Sequence, residues 1–194
     1  KYINIEYPKY QPFGTIIPYA DNAHNNEDIA ENIYNYILSK SHNYVHIMTP
    51  YIIIDSSLLE ALIFAAKRNV NVELIVPKNY DHFITFCVGR TFIKKLIENG
   101  IKVYQYEPGF IHAKSFVSDD NRACIGSVNL DYRSLYHHFE CGAFIYSSPV
   151  IADIEQDFQE TKKQCKLITM EEYKKIPLHI KLIGWFFHVF SPLL

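Results

Sequence analysis

The spacing of apolar residues alternates between helical and extended patterns along the first half of the chain. Helical spacing predicts three helices, over residues 26–40, 56–68 and 90–99. Asp55 and Ser56 offer an N-cap for the second of these helices. Short β-rich runs predict neighbouring strands, over residues 44–49, 70–76 and 101–106. Two strand–helix–strand units in succession imply a parallel or mixed sheet with helices on its faces.

The pattern changes after residue 110. Two strand-like runs, 111–117 and 122–125, flank the turn-forming residues 118–121 and predict a β-hairpin. A further strand is expected over residues 139–146, and an amphipathic helix over residues 150–165. The predicted fold is therefore an α/β/α sandwich with one mixed sheet flanked by helices.

A tail over residues 171–194 differs from the domain predicted over residues 1–170. From residue 176 onward it is dominated by Leu, Ile, Phe and Trp and contains no acidic residue. Its apolar stretch is too short and too interrupted for a membrane span, which needs about 20 apolar residues. On a helical wheel one narrow arc contains Lys174, Pro177, Lys181, Gly184 and His188. A helix in the membrane interface and a helix packed on the core or on a partner are both compatible with this pattern.

Composition places the chain among folded globular proteins, with 48% hydrophobic and 21% charged residues. The formal net charge of -2 counts against a non-specific nucleic-acid binder, which usually has a basic excess. Four widely spaced cysteines indicate neither a disulfide scaffold nor a metal site, so reduced thiols in a cytosolic compartment are expected. The first ten residues lack the apolar core of a signal peptide. The start at Lys1 leaves open that the chain is a piece of a longer protein.

The candidate chemistry lies around the predicted hairpin. His112 and Lys114 are two residues apart on a predicted strand, so both side chains should leave the same face. An imidazole can attack phosphorus or move a proton, and a neighbouring ammonium can neutralise phosphate oxygens. Ser127 and Asn129 are also two residues apart and offer a hydroxyl and an amide for phosphate oxygens. Glu140, on the next strand, is a carboxylate that could fix the tautomer of His112.

Each of these pieces is weak by itself, but together they read His-x-Lys-x4-Asp-x6-Gly-Ser-x-Asn over residues 112–129. This string resembles the signature motif of the phospholipase D superfamily, through His112, Lys114, Asp119, Gly126, Ser127 and Asn129. Flanking segments are similar to the C-terminal half of bacterial cardiolipin synthases, over residues 49–51, 58–68, 108–114 and 129–135. The resemblance covers nearly the whole chain.

The resemblance implies a phosphatidyltransferase that works without a metal or other cofactor at the cytoplasmic face of a bacterial cell membrane. It would join two phosphatidylglycerols into cardiolipin and glycerol through a phosphatidyl-histidine. The implied catalytic residues are His112, Lys114 and Asp119, although in that family the aspartate usually braces the hairpin and the lysine. The implied phosphate-binding residues are Lys114, Ser127 and Asn129, and Glu140 would orient the histidine.

Enzymes of this type carry two copies of the motif, and this chain has one. The second half-site would come from a missing N-terminal half or from an identical chain in a homodimer. The homodimer corresponds to an alternative function, a single-motif phosphodiesterase or nuclease. A fragment with membrane-binding character only is the third hypothesis. The net acidity and the apolar tail favour phospholipid and a membrane surface over nucleic acid as partners.

Several further residues have two readings each. Tyr51 and Phe110 would either line a substrate groove or belong to an aromatic core. Arg133 would either contact a headgroup or form a local ion pair with Asp131. His137 and His138 resemble a metal pair only superficially, because adjacent residues of a strand face opposite ways.

Overall fold

The computed structural model describes residues 13–24 and 27–194. Three predictions concern residues outside this range: that the first ten residues form no signal peptide, that the domain begins at residue 1, and that the first helix begins at Asn26. The strands of the described part are β1 (Thr15–Asp21), β2 (Tyr44–Met48), β3 (Ile52–Ile53), β4 (Asn71–Pro77), β5 (Lys102–Tyr106), β6 (Ser115–Ser118), β7 (Arg122–Gly126), β8 (Leu130–Asp131), β9 (Glu140–Tyr146) and β10 (Cys165–Leu167). The α-helices are α1 (Ile29–Lys40), α2 (Ser56–Lys67), α3 (Phe83–Glu98), α4 (Val150–Lys162), α5 (Met170–Lys174) and α6 (Leu178–Phe187). A π-helical turn spans Arg133–His137, and a 3₁₀ helix spans His188–Leu193.

One mixed sheet of eight strands forms the centre, in the order β1-β9-β7-β6-β2-β4-β5-β10. The three strands β2, β4 and β5 pair in parallel, as expected when helices connect them, and the remaining pairs are antiparallel. A separate parallel pair joins β3 to β8. This architecture confirms the predicted mixed sheet.

Helices cover both faces of the sheet. On one face α1, α2 and α3 bury a large cluster that includes Tyr34, Leu62 and Phe92. On the other face α4 places Ile151 and Phe158 against two smaller clusters. The alternation of side chains along the strands supplies apolar residues to both layers, which confirms the predicted sandwich.

Local sequence signals explain several element boundaries. The Asp55 carboxylate caps α2 by accepting hydrogen bonds from the main-chain amides of Ser57 (2.7 Å) and Leu58 (3.1 Å), as the sequence predicts. The predicted hairpin turn is also present, and its two central residues, Asp119 and Asp120, both have positive φ angles of 52° and 56°. Such a turn matches the right-handed twist of the flanking strands.

Three predictions of element bounds are wrong. The helix expected from residue 90 begins at Phe83, so its first two turns were not recognised. The strand expected over residues 111–117 begins only at Ser115, because its neighbour β2 ends at Met48, directly opposite Ser115. The helix expected over residues 150–165 ends at Lys162, and a short edge strand follows it.

The tail packs on the domain through a narrow face of α6. A Cβ atom at Gly184 would lie 2.3 Å from the Cys87 carbonyl oxygen, so α6 crosses α3 in direct backbone contact at this position. The His188 ring lies 4.9 Å from the Phe92 ring in the same contact. Seven large apolar side chains of α6 and the 3₁₀ helix after it remain exposed, namely Leu178, Leu182, Trp185, Phe186, Val189, Phe190 and Leu193. No helix among the described residues is long and apolar enough to cross a membrane.

Candidate active site

The motif histidine and lysine lie immediately before β6, and not within a strand as predicted. Alternate residues of this segment, Ile111 and Ala113, pack against the α4 side of the core. His112 and Lys114 are therefore left outside that cluster, with His112 exposed and Lys114 half-buried. The Lys114 ammonium donates a hydrogen bond of 2.8 Å to the main-chain carbonyl oxygen of His112.

Ser127 links the segment after β7 to the start of β9 through side-chain hydrogen bonds. Its hydroxyl accepts a hydrogen bond from the Cys141 amide (3.0 Å) and donates one to the Cys141 carbonyl oxygen (3.2 Å). The neighbouring Gly126 approaches the same strand so closely that a Cβ atom there would lie 2.3 Å from the Cys141 carbonyl oxygen. The glycine and serine of the motif thus hold two strands in contact beside the candidate site.

Asn129 is the next motif residue along this segment. Its amide nitrogen donates to the Ser134 hydroxyl at 3.1 Å, and its amide oxygen is buried without a partner among the described residues. Buried polar atoms in folded proteins usually have a partner, so this oxygen is a position at which a water molecule or a donor group of a ligand would bind.

Glu140 is the first residue of β9, and its carboxylate is only 9% exposed. The nearest imidazole is that of His138, with 3.8 Å between its Nδ1 and a Glu140 carboxylate oxygen. No hydrogen bond joins Glu140 to the His112 ring in the described part of the chain; that ring instead contacts Phe110, with 5.6 Å between centroids. The structure therefore brings Glu140 to the site without placing it on the motif histidine.

Asp131 is a second buried carboxylate at this site, and the sequence prediction missed it. It is 6% exposed, and the Ser134 amide donates to it at 2.8 Å. Burial raises the pKa of Asp131, an effect that the hydrogen bonds from Ser134 and Asn129 oppose. Continued alternation from Ser127 through Asn129 to Asp131 was the available signal, since these residues are two apart.

Lys114 connects these acidic groups to the motif. Burial lowers its pKa, and the charges of Glu140 and Asp131 oppose that shift. The Lys114 ammonium thus experiences the negative charge of two buried carboxylates and lies next to the main chain of an exposed histidine.

Asp119 occupies the opposite end of β6 from the histidine. Its carboxylate accepts hydrogen bonds from the main-chain amides of His42 (2.7 Å), Asn43 (2.9 Å) and Tyr44 (2.9 Å). At the rise of an extended strand, five residues separate Asp119 from Lys114 by about 16 Å. Asp119 therefore braces the connection between α1 and β2, and it lies too far from Lys114 to share a phosphate group with it.

Aromatic side chains lead from the histidine into a cavity, here named the proximal cavity and lined by Pro50, Tyr51, Pro77, Arg90 and Phe110 among others. The rings of Tyr51 and Phe110 lie 6.2 Å apart, and the Tyr51 hydroxyl donates a hydrogen bond to Asp81. Burial raises the pKa of Tyr51, and the Asp81 carboxylate raises it further. Both aromatic residues considered for a substrate groove thus line a cavity beside His112. No three His, Cys, Asp or Glu side chains of residues 13–24 and 27–194 cluster closely enough to hold a metal ion.

A family model described as the cardiolipin synthase, PLD-like domain, matches residues 35–162, which include the complete motif. This chain belongs to that family. The match confirms the resemblance to the phospholipase D superfamily and to cardiolipin synthases.

Two curated relatives illustrate the range of similarity within the family. A protein of Streptococcus mutans described as uncharacterized is 44% identical over 93% of this chain, which covers 39% of that protein. The major cardiolipin synthase of Bacillus subtilis is 33% identical over 100% of this chain, which covers 40% of that protein. The chain therefore spans about two fifths of the length of these relatives.

Solved structures share the fold at low sequence identity. Phosphatidylserine synthase of Haemophilus influenzae superposes with a TM-score of 0.73 at 16% identity, over 92% of this chain and 48% of that one. Nuc, a phospholipase D family member from Salmonella typhimurium, superposes with a TM-score of 0.64 at 18% identity, over 79% of this chain and 99% of that one. The first neighbour is about twice the length of the matched domain, whereas Nuc is matched almost from end to end.

Proposed function

We propose that this chain is one catalytic half of a cardiolipin synthase, which transfers a phosphatidyl group from one phosphatidylglycerol to another and releases glycerol. The observation that supports this proposal most is the family match, because it contains the whole motif and includes synthases among the relatives. The grouping of Lys114, Glu140 and Asp131 beside His112 supplies the charges that transfer at a phosphodiester needs.

In the proposed reaction two histidines act, one from each half-site. One imidazole nitrogen attacks phosphorus and the bond from phosphorus to the glycerol oxygen breaks, while the other histidine donates a proton to that oxygen. The second histidine then takes a proton from the hydroxyl of another phosphatidylglycerol. That oxygen attacks phosphorus, the nitrogen–phosphorus bond breaks, and the first histidine is restored. His112 takes one of these two roles.

The remaining motif residues receive roles that follow their placement. Lys114 and Asn129 would bind the non-bridging oxygens as hydrogen-bond donors, with the ammonium leaving the His112 carbonyl for the phosphate and the Asn129 amide nitrogen donating its second N–H. Ser127 was predicted to bind phosphate, but its hydroxyl donates a hydrogen bond to the Cys141 carbonyl oxygen and accepts one from the Cys141 amide. We therefore propose that Ser127 positions the backbone next to the phosphate site and does not contact the phosphate. Glu140 would orient His112 once substrate has ordered the ring.

We propose that the exposed apolar side of α6 lies in the membrane interface, on the cytoplasmic face of a bacterial cell membrane. Trp185 and Phe186 are exposed there together with Leu182, and no acidic residue interrupts this surface between residues 176 and 194. A substrate that is itself a phospholipid would be delivered from the same surface.

One observation favours a second candidate function, that of a homodimeric phosphodiesterase or nuclease. Nuc is matched over 99% of its chain, so this chain corresponds to an entire chain of that phospholipase D family member. In such an enzyme the second histidine would come from an identical protomer.

A single set of assays separates these proposals. The purified protein is mixed with vesicles of fluorescent phosphatidylglycerol, and cardiolipin and phosphatidic acid are measured as products. A generic phosphodiester and DNA are tested in parallel. We expect little or no cardiolipin from the chain alone, and cardiolipin when a protein supplying the second motif is added; neither product should form with His112→Ala. Cardiolipin formation by a monomer would overturn the half-site proposal. DNA cleavage whose specific rate rises with protein concentration would support the homodimer instead.

A further inference from the structure

Arg90 is a buried cation that the motif does not use. It lies on α3 and is only 6% exposed, with its guanidinium 4.3 Å from the centroid of the Phe86 ring. Within the described part of the chain, this guanidinium has no ion-pair partner and no hydrogen-bond acceptor. Burial of an unpaired charge is costly, and a cation–π contact with one phenyl ring offsets only part of that cost.

The remaining exposed part of Arg90 opens onto two cavities. One is the proximal cavity beside the motif. The other, here named the distal cavity, has a volume of about 400 Å³ and is lined by Arg90, Lys166, Lys175, Ile176 and Ile180 among others. Arg90 therefore forms the wall between the cavity next to His112 and a second cavity at the base of the tail.

The carboxylates that line the two cavities have partners other than Arg90. Asp81, in the proximal cavity, accepts hydrogen bonds from the Tyr51 hydroxyl and the His82 amide. Glu172, in the distal cavity, lies 2.5 Å from the Lys166 ammonium and also accepts from the Thr169 amide.

The distal cavity consequently has an excess of positive charge. Its ionisable lining groups are three cations, Arg90, Lys166 and Lys175, and one carboxylate, Glu172. Burial lowers the pKa of Arg90 to about 10, which keeps the side chain protonated at neutral pH.

Apolar residues complete the lining of the distal cavity. Ile168 forms part of its wall, and Ile176 and Ile180 border it at the start of α6. Ile180 belongs to α6, so the cavity lies beside the helix whose exposed side we place in the membrane interface. A ligand for this cavity should therefore combine an anionic group with an apolar portion.

We propose that the distal cavity binds the phosphate group of an anionic lipid, with Arg90 and Lys175 as its cationic ligands. A guanidinium presents a planar pair of donors that matches two oxygens of a phosphate. The apolar wall would accommodate the first carbons of the lipid. The site is separate from the motif and does not depend on transfer at His112.

Nitrogen-15 NMR of the arginine side chains tests the proposal directly. The Arg90 Nε–H signal is assigned by its absence in Arg90→Met. Three probes are then titrated, namely short-chain phosphatidylglycerol, glycerol phosphate and short-chain diacylglycerol. We expect the signal to move with phosphatidylglycerol at a concentration at least about tenfold lower than with glycerol phosphate. Diacylglycerol should leave it in place.

The possible outcomes distinguish a lipid phosphate from a free phosphate ester, and they distinguish the distal site from the proposed transfer at His112. Equal affinity for glycerol phosphate and phosphatidylglycerol would overturn a lipid site, and no response to either would overturn an anion site altogether. His112→Ala should retain the Arg90 response, and Lys175→Met, at a residue that lines only the distal cavity, should weaken that response while transfer activity remains, so loss of transfer activity and loss of this site are distinguishable.

Thermal unfolding without ligand provides a second measurement. Arg90→Met should unfold at the same or a higher temperature, because it removes an unpaired buried charge and retains an apolar side chain of similar length. Lys94→Met is the matched control, since Lys94 is on the same helix, half-exposed and paired with Glu98. A clear loss of stability in Arg90→Met alone would assign Arg90 to a structural role with Phe86 and contradict the proposal.

Discussion

The Lys114 ammonium donates a hydrogen bond of 2.8 Å to the His112 carbonyl oxygen, so the lysine side chain folds back onto the main chain of the motif histidine. Burial lowers the pKa of this lysine, while Glu140 and Asp131 act in the opposite direction. The folded protein therefore keeps the cation beside the histidine and limits the pH range over which it is charged.

Replacement of Lys114 tests this relationship. In the enzyme assembled with a second motif, Lys114→Gln should lower kcat by about 100-fold, because a charge that stabilises phosphate oxygens in the transition state is lost. In the wild type, activity should fall as pH rises through the lowered pKa of Lys114, below the ordinary range for lysine. Lys114→Arg is the control; it should retain part of the activity and move this fall to higher pH, because arginine stays protonated. An unchanged alkaline limb in Lys114→Arg would show that another group titrates there.

Asp119 should act through stability and not through chemistry. Asp119→Asn keeps a residue that tolerates the positive φ angle of 52° but loses a charged acceptor for three amides, at a cost of about 3 kcal/mol. Chemical denaturation measures this loss, with the exposed Asp157→Asn as a control that should be neutral. At temperatures where the variant is folded, its kcat should equal that of the wild type. A large fall in kcat with unchanged stability would restore Asp119 to the catalytic residues.

Glu140 contacts the imidazole of His138 in the structure, whereas the sequence predicts that it orients His112. If Glu140 orients His112 during turnover, Glu140→Gln should lower kcat by about 100-fold and change the pH dependence of kcat, and Glu140→Asp should partly restore both. His138→Ala should leave kcat nearly unchanged, although His138 lies 3.8 Å from the carboxylate. Equal losses in Glu140→Gln and His138→Ala would mean that the pair functions as one unit.

Replacement of Gly126 tests whether this motif residue is needed for the close packing of β7 against β9. Gly126→Ala would place a Cβ atom 2.3 Å from the Cys141 carbonyl oxygen, so β7 and β9 must separate, at an estimated cost of about 3 kcal/mol. Gly109→Ala is the matched control, because nothing lies within 4 Å of its added Cβ atom. Denaturation midpoints of the two variants should differ clearly. Equal midpoints would contradict the close approach of the strands.

The features that sequence predicted well depend on neighbours in the chain. The hairpin turn and the cap at Asp55 are set by residues within four positions of one another. Strand β1 was missed because its partner β9 is distant in sequence, with Thr15 opposite Tyr146. Pro18 also argues against a strand, and only the free edge of the sheet tolerates it.

The candidate site likewise has parts that the sequence predicts and parts that depend on contacts between distant segments. The motif residues were recognisable as a pattern, but the burial of Asp131 depends on pairing between β8 and β3, and each of these strands has only two residues. The burial of Arg90 likewise depends on the packing of the tail against α3. The alternation of Ser127, Asn129 and Asp131 groups Asp131 with the motif residues, but the burial of Asp131 and of Arg90 leaves no periodic signal in the sequence.

Trp185 allows the proposed membrane contact to be observed without a label. It is the single tryptophan of the chain and is 74% exposed, on the side of α6 that faces away from α3. If that side enters the membrane interface, addition of phosphatidylglycerol vesicles should shift the fluorescence of Trp185 to shorter wavelength and reduce its quenching by a water-soluble quencher. Leu182→Glu, on the same exposed side, should weaken binding in vesicle sedimentation, whereas Lys163→Glu on the exposed end of α4 should have a much smaller effect. Wild-type protein that sediments with vesicles while Trp185 stays fully quenched would place the membrane contact elsewhere on the molecule.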